Sequence, residues 1–122
     1  MVRQNSAQHL AQAFGVLSDE TRLQILLLLE SQPCLCVCHL QALLAKPQST
    51  ISRHLGVLLS CGWVTVARKG TAKIYRLALP RPGWLSELIQ GAGYRWRLSP
   101  DGARLLSTAQ QMYQDNAVWM AA

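Results

Sequence analysis

The stretch Pro47–Leu77, PQSTISRHLGVLLSCGWVTVARKGTAKIYRL, changes its hydrophobic period once, and that change decides the fold. From about Gln48 to Cys61, Ile51, Leu55, Leu58 and Leu59 recur at helical spacing and define one apolar face. Pro47 suits the start of this helix, because first-turn amides have no intrahelical partner to lose. Gly62 is placed to end it in the left-handed conformation. Beyond Gly62 the pattern alternates. Trp63–Arg68 reads as a strand, Lys69-Gly70-Thr71 as a turn, and Ala72–Leu77 as the returning strand.

Towards the N-terminus, helical spacing predicts a helix over about Ser6–Leu17, with Leu10, Ala13, Phe14 and Leu17 on one stripe. Ser18 resembles an N-cap for a second helix, Asp19 to about Ser31, whose leucine-rich positions surround it and place it centrally in the core. Gln32-Pro33 breaks that helix. A third, short helix is expected from about Val37 to Ala45, with Leu40, Leu43 and Leu44 inward and Lys46-Pro47 ending it. Towards the C-terminus, Trp84–Ile89 is apolar enough for a short helix. Ser99-Pro100-Asp101 starts another that runs to about Trp119 and presents Leu105, Ala109, Met112, Asn116 and Trp119 on one side.

The expected fold is mainly α with a small β-hairpin: a single winged helix-turn-helix domain over residues 1–122. The helix-turn-helix spans about 37–61, the wing about 63–77 and the C-terminal helix about 99–119. At 122 residues the chain has the length of one domain, and 50% hydrophobic residues suffice for a core. Lys and Arg number 12 against 6 Asp and Glu, a formal charge of +6, which favours a polyanionic partner, nucleic acid before a membrane surface. The N-terminus lacks the apolar core of a signal peptide, and the longest apolar run, Ile25–Leu29, is too short to span a bilayer. A cytoplasmic protein with reduced thiols and no membrane partner is the expectation.

The other face of the fourth helix opens with Gln48, Ser49, Thr50, Ser52, Arg53 and His54. Short hydroxyls and His54 suit phosphates or bases, while Gln48 and Arg53 have the reach for base edges in a major groove. Arg68, Lys69 and Lys73 cluster at the hairpin tip, where they can embrace backbone phosphates or a minor groove. An ordinary polar surface explains either group alone. Both, in this order on a basic chain, point to double-stranded DNA. No pairing of nucleophile and base suggests an enzyme; Ser52 and His54 are better explained by DNA contact.

The segments LSDETRLQILLLL, CLCVCHLQALL, QSTISRHLGVLLSCGWV and ARKGTAKIYRL closely resemble consecutive segments of the ArsR/SmtB family of metal-responsive repressors, over roughly Leu10–Leu79. The resemblance implies a winged-helix homodimer that sits on operator DNA and represses transcription until an inducing ion binds. It implies a dimer interface formed by the first and last helices, here Phe14 and the Ser99–Trp119 helix. It also places Cys36 and Cys38 on the CVC pair of the arsenic-sensing branch. Many members carry a third cysteine three residues after that pair. This chain has Gln41 there, and Cys34 is the natural replacement.

The thiols at 34, 36 and 38 fit a soft ion better than the other two readings. A disulfide two residues apart cross-links almost nothing, and alternate cysteines do not match the spacing of a helical core. Cys61, by contrast, reads as a small buried hydrophobe, His9 as a surface residue and His39 as a solvated helix residue. Thiolates select soft metals and metalloids, and trivalent arsenic or antimony takes three sulfurs in a pyramid. As(III) or Sb(III) is thus the expected inducer, with Cd(II) or Pb(II) as alternatives that accept sulfur-rich sites. Zinc usually asks for four ligands; only His39 is adjacent to complete such a set, and the last helix holds no histidine. Residues two apart on a helix point about 200° apart, so convergence of the three sulfurs requires a non-helical segment. Ion capture is therefore expected to unwind the first turn of the third helix and move the reading helices. The alternatives are a redox-responsive repressor of the same fold, whose thiols oxidise, and a metal-binding chaperone without DNA binding.

Overall fold

Leucines on every side of one segment force the chain to build around it. The computed structural model, which describes residues 6–121, orders its elements as α1 (Ala7–Leu17), α2 (Glu20–Ser31), β1 (Leu35–Cys36), α3 (Val37–Leu44), α4 (Gln48–Ser60), β2 (Val64–Lys69), β3 (Ala72–Leu77), α5 (Gly83–Arg97) and α6 (Pro100–Ala121). Thr21 and Ile25 through Leu29 of α2 are buried, and the helix packs against α1, α4, α5 and α6. Truncating one of its fully buried side chains, such as Leu26→Ala, removes both transfer energy and packing, about 2–5 kcal/mol.

The second helix is capped by Asp19 and not, as expected, by Ser18. The Asp19 carboxylate accepts the Arg22 amide N–H at 3.0 Å, while the Ser18 hydroxyl turns back to the Gly15 carbonyl at 2.8 Å. Both residues have capping chemistry. Ser18 has helical dihedrals and ends α1, so Asp19 is the first extended residue that can cap. On α1, Ala13 and Leu17 are buried but Phe14, expected on the same stripe, is 52% exposed.

α3 and α4 form the helix-turn-helix, joined through Ala45 in the left-handed region (φ 52°). Pro47 lies one position earlier than expected, as the N-cap residue of α4 with extended backbone. Gly62 has φ 74° directly after α4, and Gly70 has φ 63° in the hairpin turn. Both are backbone states in which a side chain is strained.

The hairpin is not alone. β1 pairs antiparallel with β3 through Leu35↔Tyr75 and Cys36↔Ile74, giving a three-stranded sheet of order β1-β3-β2. The cysteine segment is therefore hydrogen-bonded to the wing.

α5 extends well past the expected Trp84–Ile89. Leu85, Ile89 and Gly93 are buried at four-residue intervals. Gly93 faces Leu27 and Glu30 of α2, where even a methyl group would come into contact with both. On α6, Leu105, Ala109 and Met120 are buried, whereas Trp119, expected inward, is 39% exposed. Among the described residues no helix is long and apolar enough to cross a membrane.

Candidate nucleic-acid interface and ion site

Gln48 to Arg53 open α4, the second helix of the helix-turn-helix. Gln48, Ser49, Ser52 and Arg53 are exposed there and Thr50 is half-buried. His54 does not join them. It is only 4% exposed, and its Nδ1 lies 3.8 Å from an Asp19 carboxylate oxygen. That distance exceeds a hydrogen bond, and Nδ1 has no other partner. Burial lowers the His54 pKa, with Asp19 opposing, so the ring is neutral near pH 7 and the pair is not a salt bridge there. His54 is thus an interior group, because its position between Ile51 and Leu58 on the helix turns it inward.

Arg68 and Lys73 are cross-strand partners in the wing and both are exposed; Lys69, half-buried, is opposite Ala72 at the same tip. Arg76, exposed on β3, adds a cation that the motif reading passed over because it sits in mid-strand.

The three thiols are not equivalent. Cys36 ends β1 and is the N-cap residue of α3, while Cys38 lies in the first turn of α3. The change from strand to helix between them holds their Cα atoms 5.3 Å apart, and the two are joined in a disulfide. This corrects two expectations. The spacing of two residues admits a cross-link because the residues occupy different elements. The two sulfurs also meet without any unwinding of α3. Cys34, expected as the third sulfur, is buried instead with Cys36, Ile74 and Met120, against which Ala72 and Tyr113 pack. Burial pushes its thiol pKa up, partly offset by Arg76 and Lys69, and keeps it protonated. Cys61, expected inside, is exposed at the end of α4.

Histidine 39 takes a place the spacing did not suggest. It is 8% exposed, not solvated, and its Nδ1 accepts the Cys36 amide N–H at 3.2 Å, capping α3. Burial lowers its pKa and leaves the ring neutral. Among the described residues, Cys36, Cys38 and His39 form the one cluster of potential ligands whose donor atoms lie within 4.8 Å of one another. The signal available in the sequence was a histidine three residues after a helix cap, where a side-chain acceptor closes a capping box. His9, expected at the surface, is half-buried with its ring edge-on to Trp84 at 6.5 Å.

Cys36 and Cys38 line one cavity, which His39 does not reach. Cys36, Val37, Cys38 and Gln41 form one wall of a groove of about 410 Å³. Gln48 and Ser52 of α4 and Thr71, Ala72 and Lys73 of the wing form the other.

A helix-turn-helix followed by a basic wing defines a winged-helix DNA-binding regulator. Residues 19–66 match the sequence profile described as "Bacterial regulatory protein, arsR family". The chain is 38% identical over 101 residues to the arsenic resistance transcriptional regulator ArsR1 of Pseudomonas putida, covering 80% of this chain and 78% of that protein. It is 42% identical over 86 residues to the arsenical resistance operon repressor of Escherichia coli, covering 70% and 71%. Its fold is similar to the structure of reduced HlyU from Vibrio cholerae, with a TM-score of 0.64 and 26% identity over 80% of this chain and all of that one. The chain belongs to the ArsR family. It is a DNA-binding transcriptional repressor of that family and not an enzyme.

Proposed function

We propose that the chain holds operator DNA as a homodimer and lets go when Cys36 and Cys38 capture a thiophilic ion, foremost arsenite or antimonite. Cadmium or lead is the alternative within the same reading. The carrying observation is the shared groove: Cys36 and Cys38 line one space with Gln48, Ser52 and Lys73, residues proposed here to meet DNA. Gln48, Ser49, Thr50, Ser52 and Arg53 would face the major groove, with Arg68, Lys69 and Lys73 on the flanking phosphates. The exposed apolar residues Phe14 on α1 and Val118 and Trp119 on α6 suit the expected dimer contact. Cytoplasmic residence goes with this role.

Arsenous acid condenses with two thiols, forming two As–S bonds, releasing two waters and keeping one hydroxyl on arsenic. Two adjacent sulfurs satisfy that chemistry. A three-sulfur pyramid would require Cys34 to leave its apolar surroundings. The disulfide must first be reduced to two thiols, with two electrons and two protons supplied by a cellular dithiol. An ion held in the groove obstructs the approach of DNA to α4 and the wing, so the ion favours the DNA-free state by its differential affinity.

The disulfide itself favours a second reading, a repressor whose Cys36 and Cys38 respond to oxidants. A gel shift on the DNA upstream of the chain's own coding region separates them. Reduced wild-type protein should be released by arsenite or antimonite, and Cys36→Ser and Cys38→Ser should stay bound. Release by a peroxide with indifference to arsenite selects the redox reading. Release of both variants by arsenite overturns the ion site.

A further inference from the structure

We propose that a cleft between α2, α5 and α6 is a second binding site, for a short peptide with free termini, and that Tyr113 couples it to the thiol strand. The site goes beyond the ion reading and does not rest on it. The cleft has a volume of about 690 Å³, larger than the thiol groove and within the range of small-molecule sites, and it shares no residue with that groove. Two opposite charges line it. Glu30 is half-buried near the end of α2, and Arg97 is the exposed last residue of α5. Among the described residues neither takes part in an ion pair, with the other or with any third group. The Glu30 carboxylate reaches over α5, 3.7 Å from where a Cβ on Gly93 would lie. An acid and a guanidinium that face one space without meeting leave room for a ligand carrying both complementary charges.

The lining selects the class of ligand. An ammonium is favoured at Glu30, where the partial negative charge of the α2 C-terminus adds to the carboxylate. A carboxylate is favoured at Arg97, whose planar guanidinium offers paired N–H donors. On the α6 wall, Ser107, Gln110 and Gln114 follow one another along one helix face. Each glutamine amide offers donors and an acceptor, the complement of a peptide group. Glu30 repels a phosphate or a simple anion, and one carboxylate without thiol or imidazole is a poor site for a soft cation. Tyr113 borders two environments. It lines the cleft, and it packs against the buried cluster of Cys34, Cys36, Ile74 and Met120. A peptide seated against the ring restrains it, and with it the apolar contacts that bury Cys34. Local opening of that cluster becomes rarer, which ties occupancy of the cleft to the paired strands β1 and β3.

The test uses the full chain and saturation-transfer NMR with a mixed tripeptide library bearing free termini. The same library N-acetylated lacks the ammonium, and C-amidated it lacks the carboxylate. Peptides with free termini should receive transfer from the protein, and either blocked library should receive severalfold less. Arg97→Gln should abolish the transfer, and Arg104→Gln, a change on α6 at a residue that pairs with Asp101, should keep it. No transfer from wild-type protein, equal transfer to a blocked library, or full transfer from Arg97→Gln overturns the site. Equal transfer to a mixture of free amino acids overturns the peptide class. A measurement on unaltered protein guards against a misfolded variant: the amide resonances of Ser31, Ser107 and Gln110 should shift with the free library and stay in place with the blocked ones. Shifts confined to α4 and the wing refute the proposal. For the coupling, iodoacetamide labelling of Cys34, followed by mass spectrometry, should slow severalfold with the free library present, while exposed Cys61 labels at an unchanged rate. An unchanged Cys34 rate with the cleft occupied refutes the link through Tyr113.

Discussion

Cys36 faces Ile74 across the sheet, so the strand that carries a candidate ion ligand is an edge of the wing. The thiol segment and the basic hairpin therefore share a backbone ladder. Binding at Cys36 is expected to alter the hydrogen-exchange protection of Ile74 and Tyr75 together with that of Leu35 and Cys36. The amides of α5 should be unmoved. Changes confined to α3, with β3 silent, would show that the ladder carries no coupling. Exchange measured on reduced protein with and without cadmium reads this directly.

Side chains on α4 and the wing are expected to fail differently when removed. Arg68 is exposed beside Lys73 and suits phosphate. Arg68→Ala should weaken binding about equally on operator and unrelated DNA and lower the salt slope by roughly one. Arg53→Ala should cost about 1–3 kcal/mol on the operator and little on unrelated duplex, because a base edge reads sequence. Equal losses on both DNAs for Arg53→Ala would assign it to the backbone. Fluorescence anisotropy at several salt concentrations distinguishes the outcomes.

Acid should destabilise the protein in two windows. His54 and His39 are both held below the ordinary histidine value of 6.5 by burial. A lowered pKa means the unfolded chain binds protons first, so stability is full above about pH 6.5 and falls as pH drops towards the folded values. Asp19 is held below 3.8, first by the Arg22 amide it accepts and also by His54, with burial opposing. Its contribution is lost at lower pH, as the unfolded carboxylate protonates. Urea midpoints from pH 7 to 5 should fall in wild type and flatten in part in His54→Leu. Adding His39→Gln should remove most of the remaining slope. An unchanged slope in the double variant would locate the acid sensitivity elsewhere.

Two backbone positions should respond in opposite directions to exchanges of alanine and glycine. Ala45 holds φ 52° in the turn of the helix-turn-helix, and Gly62 holds φ 74° after α4. A left-handed L-residue costs roughly 1–2 kcal/mol, against which glycine loses up to about 1 kcal/mol of chain entropy. Ala45→Gly should raise the melting temperature slightly, and Gly62→Ala should lower stability by about 1 kcal/mol. Thermal melts of the two variants check this, and stabilisation by Gly62→Ala would contradict the assigned turn.

Local order made the helix-turn-helix and hairpin readable, since a change of period is written in consecutive residues. What required distant partners was not. β1 is two residues long and exists because Tyr75 and Ile74 lie beside it, a pairing that no local pattern records. α5 extends past the apolar run Trp84–Ile89 because its later turns also pack on α2, a contact that no local pattern records. Of the site, Cys36 and Cys38 were legible as a pair. That Cys34 packs with Cys36 against Ile74 and Met120 was not legible, because Met120 lies far along the chain. His54 was misread although the information was present, for the spacing that names Ile51, Leu55 and Leu58 also turns position 54 inward.

The groove between Cys38 and Lys73 has a further consequence for dosage. On the proposed reading, repressor parked on its operator is the poorer trap, and unbound copies are the better one. Surplus protein then acts as a sponge that must fill before the promoter clears. The concentration of toxicant at which the gene turns on would therefore track how many copies the cell keeps, as well as how tightly each one holds.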